Sequence, residues 1–439
     1  MEGMPWPRTI STKRNRIAEL ARQMSGTALT SLSHHMDLEW LREAHRRTRS
    51  GGAKGVDGQS SANFERDLEG NLQALLADAK SGVYRAPPVR RVNIPKGDGS
   101  KTRPLGIPTY TDKVLQRAVA MLLEPVYEQD FYTFSYGFRP KRSPHDAIDA
   151  LDRQLWEMRG GWVLDVDIQS FFDDIDHEKL RDLLRQRVTD GVVVRLIGKW
   201  LRAGVLEGGV IHRATHGTPQ GGVISPLLAN IYLHEVLDKW FEQEVKPRLE
   251  GEAFLIRYAD DAVMVFDLKT DADRVLAVLP KRFGKFGLTL HPDKTRLVRF
   301  TRPGGEGKKG DRSHPGSFDF LGFTHYWGKS SGSRWVVKRK TARDRFKKAL
   351  KRISQWCRRH MHLSVKEQHR LLVRKLRGHD QYYGIRGNSP SVARFHHEVR
   401  AIWRKWLDRR SQRGKMTWER FARFCQRYPL PVLRIADFV

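Results

Sequence analysis

The chain has 439 residues, of which 39% are hydrophobic and 10% aromatic, a composition that is typical of a globular protein and excludes a disordered one. Its 80 lysine and arginine residues exceed its 50 aspartate and glutamate residues, which gives a formal net charge of +30. This excess indicates a polyanionic partner, most often a nucleic acid. The alternatives are a soluble basic protein and, more weakly, a protein that binds anionic membrane surfaces. No segment approaches the roughly 20 apolar residues that span a bilayer.

The compartment is suggested by the amino-terminal stretch and the cysteines. MEGMPWPRTI lacks the apolar core of a signal peptide, so we expect a cytoplasmic protein. Cys357 and Cys425 lie far apart in the sequence, which predicts a reducing compartment and no disulfide framework. Two cysteines also exclude a cysteine-rich zinc site, and the 17 histidines form no cluster at ligand spacing.

The first third of the chain is predicted to begin with helices. Residues 1–50 show helical spacing and a basic composition, the glycine-rich stretch SGGAKGVDGQS ends that pattern, and residues 61–80 form a further helical pattern. Two β-prone runs then flank Lys96-Gly97-Asp98-Gly99, which predicts a β-hairpin. A long apolar-faced helix follows, and we place its N-cap at Thr111.

The middle of the chain alternates strands and helices, as in an α+β domain. The apolar run from Trp162 to Ile168 predicts a buried strand, and HGTPQGG predicts a turn before a long helix. The stretch FLIRYADDAVMVF, residues 254–266, predicts a hairpin with two adjacent aspartates at its tip. Residues 302–317 are the best candidate for a loop or linker.

The carboxyl-terminal part of the chain is strongly basic. Residues 334–360 contain twelve lysines and arginines and one acid, Asp344. Apolar residues recur there at helical spacing, so we expect an amphipathic helix with a basic face across this stretch. A solvated face is the alternative, but cations at this density repel one another unless an anion screens them. The interleaved Trp and Tyr residues could stack on bases, although most are expected to pack the helices.

Three aspartates suggest a metal site. Asp260 and Asp261 alone are a weak signal, because aspartate is common in turns. Asp167 ends an apolar strand, where an unpaired carboxylate would be costly, although a capping role is the alternative. Three carboxylates at strand ends would supply the oxygen ligands that Mg²⁺ prefers. Two such ions about 4 Å apart would suit an in-line phosphoryl displacement.

The order of motifs resembles that of group II intron-encoded reverse transcriptases of the bacterial type. Seven stretches follow one another as the blocks of that family do: IPKGDGSKTRPLGIPT, SYGFRPKRSPHDAI, DVDIQSFFDDIDH, GTPQGGVISPLLANIYL, RYADD, GLTLHPDKT and FDFLGF. LRGHDQYYG and its basic neighbours resemble the maturase region of those proteins. The similarity covers about residues 50–430.

The resemblance implies an α+β fold of the right-hand polymerase type, with fingers, an antiparallel palm sheet and an all-α basic thumb or maturase region. We expect a helical basic extension over residues 1–60, fingers and palm over 61–330, and the RNA-binding thumb over 331–439. Many relatives carry a carboxyl-terminal HNH endonuclease, and we expect this protein to be of the type without one. We therefore expect a second-strand cut to come from elsewhere, or priming to use existing 3′ ends.

The function that the resemblance implies is RNA-directed DNA synthesis by a nucleotidyltransferase. The protein would also bind its group II intron RNA as a maturase and assist splicing and mobility through target-primed cDNA synthesis. Its partners would be the intron RNA, an RNA template, a DNA primer or target, and dNTPs. Two Mg²⁺ ions are the expected cofactors, with Mn²⁺ as a substitute, and the bacterial cytoplasm or nucleoid is the expected location.

The resemblance also assigns roles to individual residues. The metal ligands are Asp167, Ile168, Asp260 and Asp261, and the three aspartates are catalytic. The residues assigned to the incoming dNTP are Lys96 and Arg103 on the arms of the hairpin, Phe172 against the sugar 2′ position, Gln220, and Lys294 as a candidate proton donor to the pyrophosphate. From the residues alone, the alternative for Lys96, Arg103 and Lys294 is that they are solvated basic side chains, and the alternative for Phe172 is core packing beside Phe171.

The residues expected to bind RNA are basic and lie in the carboxyl-terminal region. They are Lys338, Arg339, Lys340, Arg343, Lys347, Lys348, Lys351, Arg352 and Arg377. A broad basic surface suits structured RNA, which is recognised by shape, backbone and unpaired bases.

Two alternative functions remain open at this point. The first is the same chemistry put to another use, such as DNA repair or phage defence. Ala259, the ordinary family residue at its position, favours the intron role. The second is an RNA-splicing cofactor whose polymerase site is vestigial, against which the intact aspartates argue.

Overall fold

The computed structural model describes residues 9–96, 101–212, 216–217, 221–303, 316–410 and 415–432, with the backbone alone at Lys96, Lys101 and Arg103. It divides into two compact units. Unit 1 comprises Met1–Gln154 and Trp162–Leu297, and unit 2 comprises Leu155–Gly161 and Val298–Val439. None of the helices in these described ranges is long and apolar enough to cross a membrane. Most of the predicted 302–317 loop lies outside them.

Unit 1 begins with helices and the predicted hairpin. The elements are α1 (Ile10–Gln23), α2 (Leu38–Arg47), α3 (Ser61–Glu65), α4 (Leu68–Ser81), β1 (Val89–Lys96), β2 (Lys101–Ile107) and α5 (Tyr110–Asp130), with a 3₁₀ turn at Ser33–His35. The single helix predicted over 61–80 is two helices, because Asp67 caps α4 by accepting from the Gly70 amide. The N-cap of α5 is Thr109, whose hydroxyl accepts from the Asp112 amide at 3.2 Å, and the prediction of Thr111 is wrong.

The middle of the chain alternates strands and helices, as predicted. The next elements are α6 (Pro144–Glu157), β3 (Trp162–Val166), β4 (Ile168–Gln169), α7 (Phe171–Asp174), α8 (His177–Arg185), α9 (Gly191–Arg202), β5 (Val205–Glu207), β6 (Val210–His212) and α10 (Ser225–Leu233). Wider helical turns continue α10 at His234–Asp238 and Phe241–Val245, before a 3₁₀ turn at Lys246–Arg248. The strand predicted over 162–168 is interrupted at Asp167, so that it forms β3 and β4.

Most strands of this region form antiparallel pairs, whereas β1 and β5 form a parallel pair. The remaining elements are β7 (Ala253–Tyr258), β8 (Asp261–Phe266), α11 (Lys269–Lys285), β9 (Thr289–Leu290) and β10 (Arg296–Arg299). One sheet has the order β10–β3–β8–β7, and β8 pairs antiparallel with both β3 and β7. A second sheet has the order β2–β1–β5–β6, in which β1 and β2 form the predicted hairpin. A short ladder joins β4 to β9.

The core of unit 1 is built around α5. This helix is apolar over most of its circumference, which is typical of a helix buried on every side. Helices α1 and α2 pack on it, and the buried Trp40 indole donates to the Ala118 carbonyl at 2.9 Å. The amino-terminal helices therefore belong to the same hydrophobic core as the central sheet, while the predicted division into functional domains stays a prediction.

Unit 2 combines a small sheet with helices. Its elements are β11 (Phe318–Phe320), β12 (Phe323–Lys329), β13 (Trp335–Thr341), α12 (Arg343–Arg359), α13 (Val365–Tyr383), α14 (Ser389–Asp408) and α15 (Trp418–Arg427), and β11, β12 and β13 are neighbours in that order. Strand β13 shows that two predictions are wrong: the region from residue 331 is not all-α, and no helix begins at residue 334. The stretch WVVKRKT is rich in β-branched residues and pairs with β12, so the helix begins at Arg343.

The packing of unit 2 buries three aromatic rings of the FDFLGF stretch, Phe318, Phe320 and Phe323, whereas Leu321 between them is half-buried. Cys357 is buried and Cys425 is half-buried, and both are free thiols, as predicted. With antiparallel sheets and many helices, the chain has the mixed α/β character that we expect from the sequence.

Candidate active site

The tip of the β7–β8 hairpin carries the two adjacent aspartates. Tyr258 pairs with Asp261, so Ala259 and Asp260 form a two-residue loop. Ala259 has a φ of 56°, the sign that such loops require at their first central position and that glycine usually supplies. An alanine in this conformation costs about 1–2 kcal/mol, so the surrounding structure must hold it there.

Asp167 lies at the same end of the sheet as this hairpin tip. Val166 at the end of β3 pairs with Ala262 of β8, so Asp167 and Asp261 are the next residues on two neighbouring strands. The Asp167 side chain is 30% exposed, and its backbone carbonyl accepts from the His291 amide at 2.8 Å. The strand ends thus bring the aspartates of two distant segments to one edge.

A lysine lies directly against Asp167. The β4–β9 ladder pairs Ile168 with Leu290 and so brings the GLTLHPDKT segment alongside the end of β3. The Lys294 ammonium nitrogen is 3.1 and 3.2 Å from the two carboxylate oxygens of Asp167. The predicted proton donor is therefore the ion-pair partner of a predicted metal ligand.

The donor set suits a hard divalent cation in its chemistry, because it offers carboxylates and the Ile168 carbonyl as oxygen ligands. In the described part of the chain, however, no group of three or more acidic, histidine or cysteine side chains is gathered closely enough to hold a metal ion. Asp167 instead has the Lys294 ammonium beside it. A cation at this edge would take the place of that ammonium as the partner of Asp167.

The residues predicted to contact the dNTP are described to different extents. Lys96 and Arg103 lie on the two arms of the hairpin, with Arg103 opposite Ile94 in the register. Gln220 lies outside the described residues. Its neighbour Gly221 has a φ of 116°, and a Cβ there would lie 2.8 Å from the Gly106 carbonyl oxygen. Gly221 of the TPQGG motif therefore permits the close approach of its backbone to β2.

Phe171 and Phe172 differ in burial, which bears on whether each packs in the core or could contact the nucleotide sugar. Phe171 is buried in the core of unit 1, and Phe172 is half-buried beside it, edge to face at 5.3 Å between ring centroids. One of the two is therefore a core residue, as predicted. Phe172 follows Asp167 by five residues and remains the candidate for contact with the sugar.

The predicted RNA-binding residues are distributed over three elements of unit 2. Lys338, Arg339 and Lys340 lie on β13, and Arg377 lies on α13; the remainder, Arg343, Lys347, Lys348, Lys351 and Arg352, lie on α12. Helix α12 buries Ile353 and Cys357 on one face. Most of its basic side chains are exposed, so the helix has the amphipathic character that we expect from the sequence.

The aromatic residues of unit 2 mainly pack the fold. Trp403 is buried, and its indole donates to Gln368 at 3.3 Å, while the Tyr382 hydroxyl donates to the Leu321 carbonyl at 2.8 Å. Trp356 is half-buried with the Lys375 ammonium 5.2 Å from its ring centroid. This agrees with the expectation that most of these rings are structural.

Arg257 is the first residue of the RYADD stretch, but no role is assigned to it from the sequence. It lies in β7, two residues before Ala259, with its side chain fully buried against the fully buried Asp238. The sequence does contain a signal, because FLIRY places a cation inside an apolar strand. A buried charge needs a partner, so such a position predicts a buried ion pair.

Comparison with known proteins decides the family. Residues 94–325, more than half of the chain, match the model of the reverse transcriptase (RNA-dependent DNA polymerase) family. The chain belongs to the reverse transcriptase family. The match begins in β1, includes Asp167, Asp260, Asp261 and Lys294, and ends in β12. RNA-directed DNA polymerase is therefore the activity of its family.

Individual relatives agree with this assignment. Protein YkfC of Escherichia coli (strain K12) is 38% identical over 324 residues, which cover 64% of this reverse transcriptase and 84% of YkfC. Group II intron-encoded protein LtrA of Lactococcus lactis subsp. cremoris is 43% identical over 200 residues, 46% of this chain and 32% of LtrA. Nuclear intron maturase 2, mitochondrial, of Arabidopsis thaliana is 27% identical over 245 residues, 46% of this chain and 32% of that protein.

The names of LtrA and of the Arabidopsis maturase agree with the resemblance to group II intron-encoded reverse transcriptases, and the family match confirms the prediction of a reverse transcriptase. The matched segments span about a third of the length of LtrA and of the Arabidopsis maturase. They span most of YkfC, whose name gives no activity.

Proposed function

We propose that this reverse transcriptase copies RNA into DNA at the edge formed by Asp167, Asp260 and Asp261, and binds group II intron RNA through unit 2 as a maturase. The observation that carries the proposal is the register of β3 and β8, which brings Asp167 and Asp261 to neighbouring strand ends beside the Asp260 turn. In this proposal the β10–β3–β8–β7 sheet is the palm, the β1–β2 hairpin belongs to the fingers, and unit 2 is the thumb.

The proposed reaction is nucleotide addition. The 3′-hydroxyl of a primer attacks the α-phosphate of a dNTP, a new P–O bond forms, the bond to pyrophosphate breaks, and the hydroxyl proton passes to solvent water. Asp167, Asp260 and Asp261, with the Ile168 carbonyl, would hold Mg²⁺ or Mn²⁺. Two such ions would supply charge stabilisation at the attacking and leaving oxygens.

The side chains around this edge would position the nucleotide. Lys96 and Arg103 would contact the triphosphate, since basic side chains on two hairpin arms suit phosphate oxygens. Phe172 would lie against the sugar and exclude a 2′-hydroxyl, and Gln220 would contact the nucleotide or the template. Lys294 would release Asp167 and donate a proton to the pyrophosphate that leaves.

The maturase role is supported by the surface of unit 2. Exposed basic side chains on α12 and α13, among them Arg343, Lys347, Lys351 and Arg377, offer positive charge to a partner. Exposed charge of this kind suits the backbone of a structured RNA, because counterion release drives that contact. In this proposal the intron RNA is held there while its splicing is assisted.

The experiment that tests the polymerase role is the double change Asp260→Ala with Asp261→Ala. Loss of the metal-binding carboxylates removes several kcal/mol of transition-state stabilisation, so DNA synthesis should fall by about 10³-fold or more. The measurement is Mg²⁺-dependent DNA synthesis on poly(rA)/oligo(dT). Asp273→Ala, which removes an exposed aspartate paired with Lys269 on α11, is the matched control and should retain activity.

The same variant separates the two proposed roles. It should still support splicing of the intron RNA, because the RNA would be bound by unit 2. Absence of Mg²⁺-dependent DNA synthesis by the wild-type protein would overturn the polymerase proposal. Loss of splicing by a double variant that is folded and still bound to RNA would overturn the separation of the roles. Sequencing the RNA that co-purifies with the protein distinguishes an intron partner from another use of the polymerase.

A further inference from the structure

The SYGFRP segment is a sequence motif that has no assigned role in the proposed reaction. It runs beside β7 directly before the Ala259-Asp260 turn. Ser135 and Arg257 form a parallel bridge, in which the Arg257 amide donates to the Phe134 carbonyl at 2.9 Å and the Tyr136 amide donates to the Arg257 carbonyl at 2.8 Å. The motif thus lies against the strand that leads into the aspartates.

The centre of this contact is the buried guanidinium of Arg257. Its Nε and Nη2 donate to the two carboxylate oxygens of Asp238 at 2.7 and 2.5 Å. Its Nη2 also donates to the Ser135 hydroxyl at 2.7 Å, and its Nη1 donates to the Asn230 side-chain oxygen at 3.0 Å. One planar group thereby joins β7, the helical segment after α10 and the SYGFRP segment.

The fifth hydrogen bond reaches the turn itself. Nη1 of Arg257 donates to the Ala259 carbonyl at 3.0 Å. That carbonyl belongs to the peptide between Ala259 and Asp260, so the bond fixes the plane of the peptide that carries Asp260. Because Ala259 has a φ of 56°, which alanine rarely adopts, this bond holds a conformation that the residue itself disfavours.

The SYGFRP segment closes the turn from the other side. A Cβ at Gly137 would overlap the Ala259 amide nitrogen and lie 2.9 Å from the Ala259 Cα, so a side chain there would displace the turn. The Asn230 side-chain nitrogen donates to the Gly137 carbonyl at 2.6 Å, which ties this segment to the same network. The turn is therefore held between an arginine and a glycine.

The charges of the network are balanced within it. His234 lies near Asp238, with 3.9 Å between its Nδ1 and the carboxylate, and burial lowers the pKa of its ring. A neutral His234 leaves Arg257 as the cation that balances Asp238. A buried ion pair is weak evidence for stability, since apolar side chains often replace one without loss. The directional hydrogen bonds of Arg257, however, select one backbone arrangement, which apolar side chains in its place would not do.

We propose that Arg257 is the positioning residue of the candidate active site: its guanidinium, oriented by Asp238, Asn230 and Ser135, holds the Ala259 carbonyl and so aims Asp260 and Asp261. This inference rests on the proposed function of those aspartates. It also gives the SYGFRP motif a task, which is to supply the Ser135 hydroxyl and the close contact of Gly137.

The test is Arg257→Lys, in which a single ammonium cannot reach all the acceptors of the guanidinium. A misplacement of the aspartates of about 1 Å can lower kcat by about 10²-fold, so we expect a loss of this order, with a higher half-saturating Mg²⁺ concentration and little change in KM for dTTP. Arg187→Lys is the matched control. Arg187 is also buried and bonded to a carboxylate, Asp130, and to backbone carbonyls, but it does not contact the turn.

Rescue distinguishes positioning from simple stability. Glycine adopts a positive φ without strain, so Ala259→Gly in the Arg257→Lys background should restore part of kcat and lower the Mg²⁺ requirement. The same change should alter wild type and Arg187→Lys by a smaller factor. If Arg257→Lys does not fold, Ser135→Ala, which removes one acceptor of the guanidinium, carries the same comparison with a smaller loss.

The outcomes separate this inference from the proposed function. Wild type without DNA synthesis, or an active Asp260→Ala variant, contradicts the proposed function. The positioning role alone is overturned if wild type is active and Asp260→Ala is inactive, but Arg257→Lys has the same kcat and Mg²⁺ requirement as Arg187→Lys. Equal effects of Ala259→Gly in all three backgrounds also overturn it.

Discussion

At the scale of single residues, Asp112 shows how burial sets the charge of a carboxyl group. It lies in α5 and is 2% exposed, the Tyr84 hydroxyl donates to it, and the Trp200 indole donates to that hydroxyl at 3.0 Å. Burial raises the pKa of Asp112 from 3.8 to about 7, against the hydrogen bonds from Tyr84 and Thr109 that lower it. Near neutral pH this group is therefore poised between its two forms.

The raised pKa of Asp112 predicts a pH-dependent stability. The folded pKa is above the unfolded one, so the stabilisation is complete below about pH 4 and is lost as the pH rises through about 7. Relative to Asp112→Asn, which does not titrate, wild type should lose about 2 kcal/mol of unfolding free energy between pH 5 and pH 7. Urea unfolding of both proteins at these pH values measures the difference.

Asp190 provides the control for this titration. It is also 2% exposed, and burial raises the pKa of its carboxyl group. Hydrogen bonds from backbone amides, among them those of Ser33, Val193 and Leu32, lower this pKa by more, so the net shift is downward. The stability that Asp190 contributes is lost only as the pH falls through that lowered pKa. Asp190→Asn should therefore differ from wild type by a constant amount between pH 5 and pH 7. A constant difference for Asp112→Asn as well would contradict the prediction.

Phe172 carries a prediction about sugar selection. If its half-buried ring lies against the 2′ position, Phe172→Val should raise incorporation of rNTPs relative to dNTPs by about tenfold or more, since a shape-based pocket discriminates by such factors. The ratio of kcat/KM for UTP and dTTP measures this selection. Phe171→Leu is the control, because Phe171 packs in the core and should affect stability without changing the ratio. An unchanged ratio in Phe172→Val would assign Phe172 to packing alone.

At the scale of elements, α12 shows which part of a basic run is available to a partner. Phe346 and Leu350 pack against the helical core of unit 2, and Ile353 is buried within it, while Lys347 and Lys351 are exposed on the same helix. The helical register therefore separates the packing face from the charged face. A polyanion would meet the latter.

Charge removal on this face predicts a change in the salt dependence of RNA binding. Lys347→Gln with Lys351→Gln should weaken binding similarly for different RNA sequences and lower the slope of log K against log[salt] by about 1 for each phosphate that is no longer neutralised. Filter binding at several KCl concentrations measures the slope. Lys281→Gln with Lys285→Gln on α11 removes the same charge from exposed positions of unit 1. Equal slopes for the two double variants would show that net charge, not this face, governs binding.

The elements could be predicted where a local pattern is strong and misread where two patterns overlap. The β7–β8 hairpin is predicted correctly, because two apolar runs flank a short polar turn. The start of the helix predicted over 334–360 is wrong. The apolar residues of WVVKRKT continue the helical spacing of Phe346, Leu350 and Ile353, but this stretch pairs with β12 and is a strand. The N-cap of α5 is misplaced because two threonines, Thr109 and Thr111, precede the apolar face.

At the scale of the whole molecule, the candidate site is predictable in its residue types but not in its support. The order of the motifs identifies Asp167, Asp260 and Asp261, and the net charge of +30 agrees with a nucleic-acid enzyme. The partners of Arg257, by contrast, are 19, 27 and 122 residues away from it in the chain. Contacts of that range depend on the packed fold, and one chain without its fold carries no local pattern for them.

The ion pair between Lys294 and Asp167 has a consequence for how the proposed metal is acquired. The Asp167 carboxylate already has the Lys294 ammonium 3.1 Å away, so a metal ion would not be its first cationic partner. Under the proposed function, a metal that binds Asp167 would have to displace this ammonium, and its apparent affinity would reflect that competition. While no metal is bound, the Lys294 ammonium would offset one of the three aspartate charges and so limit their mutual repulsion.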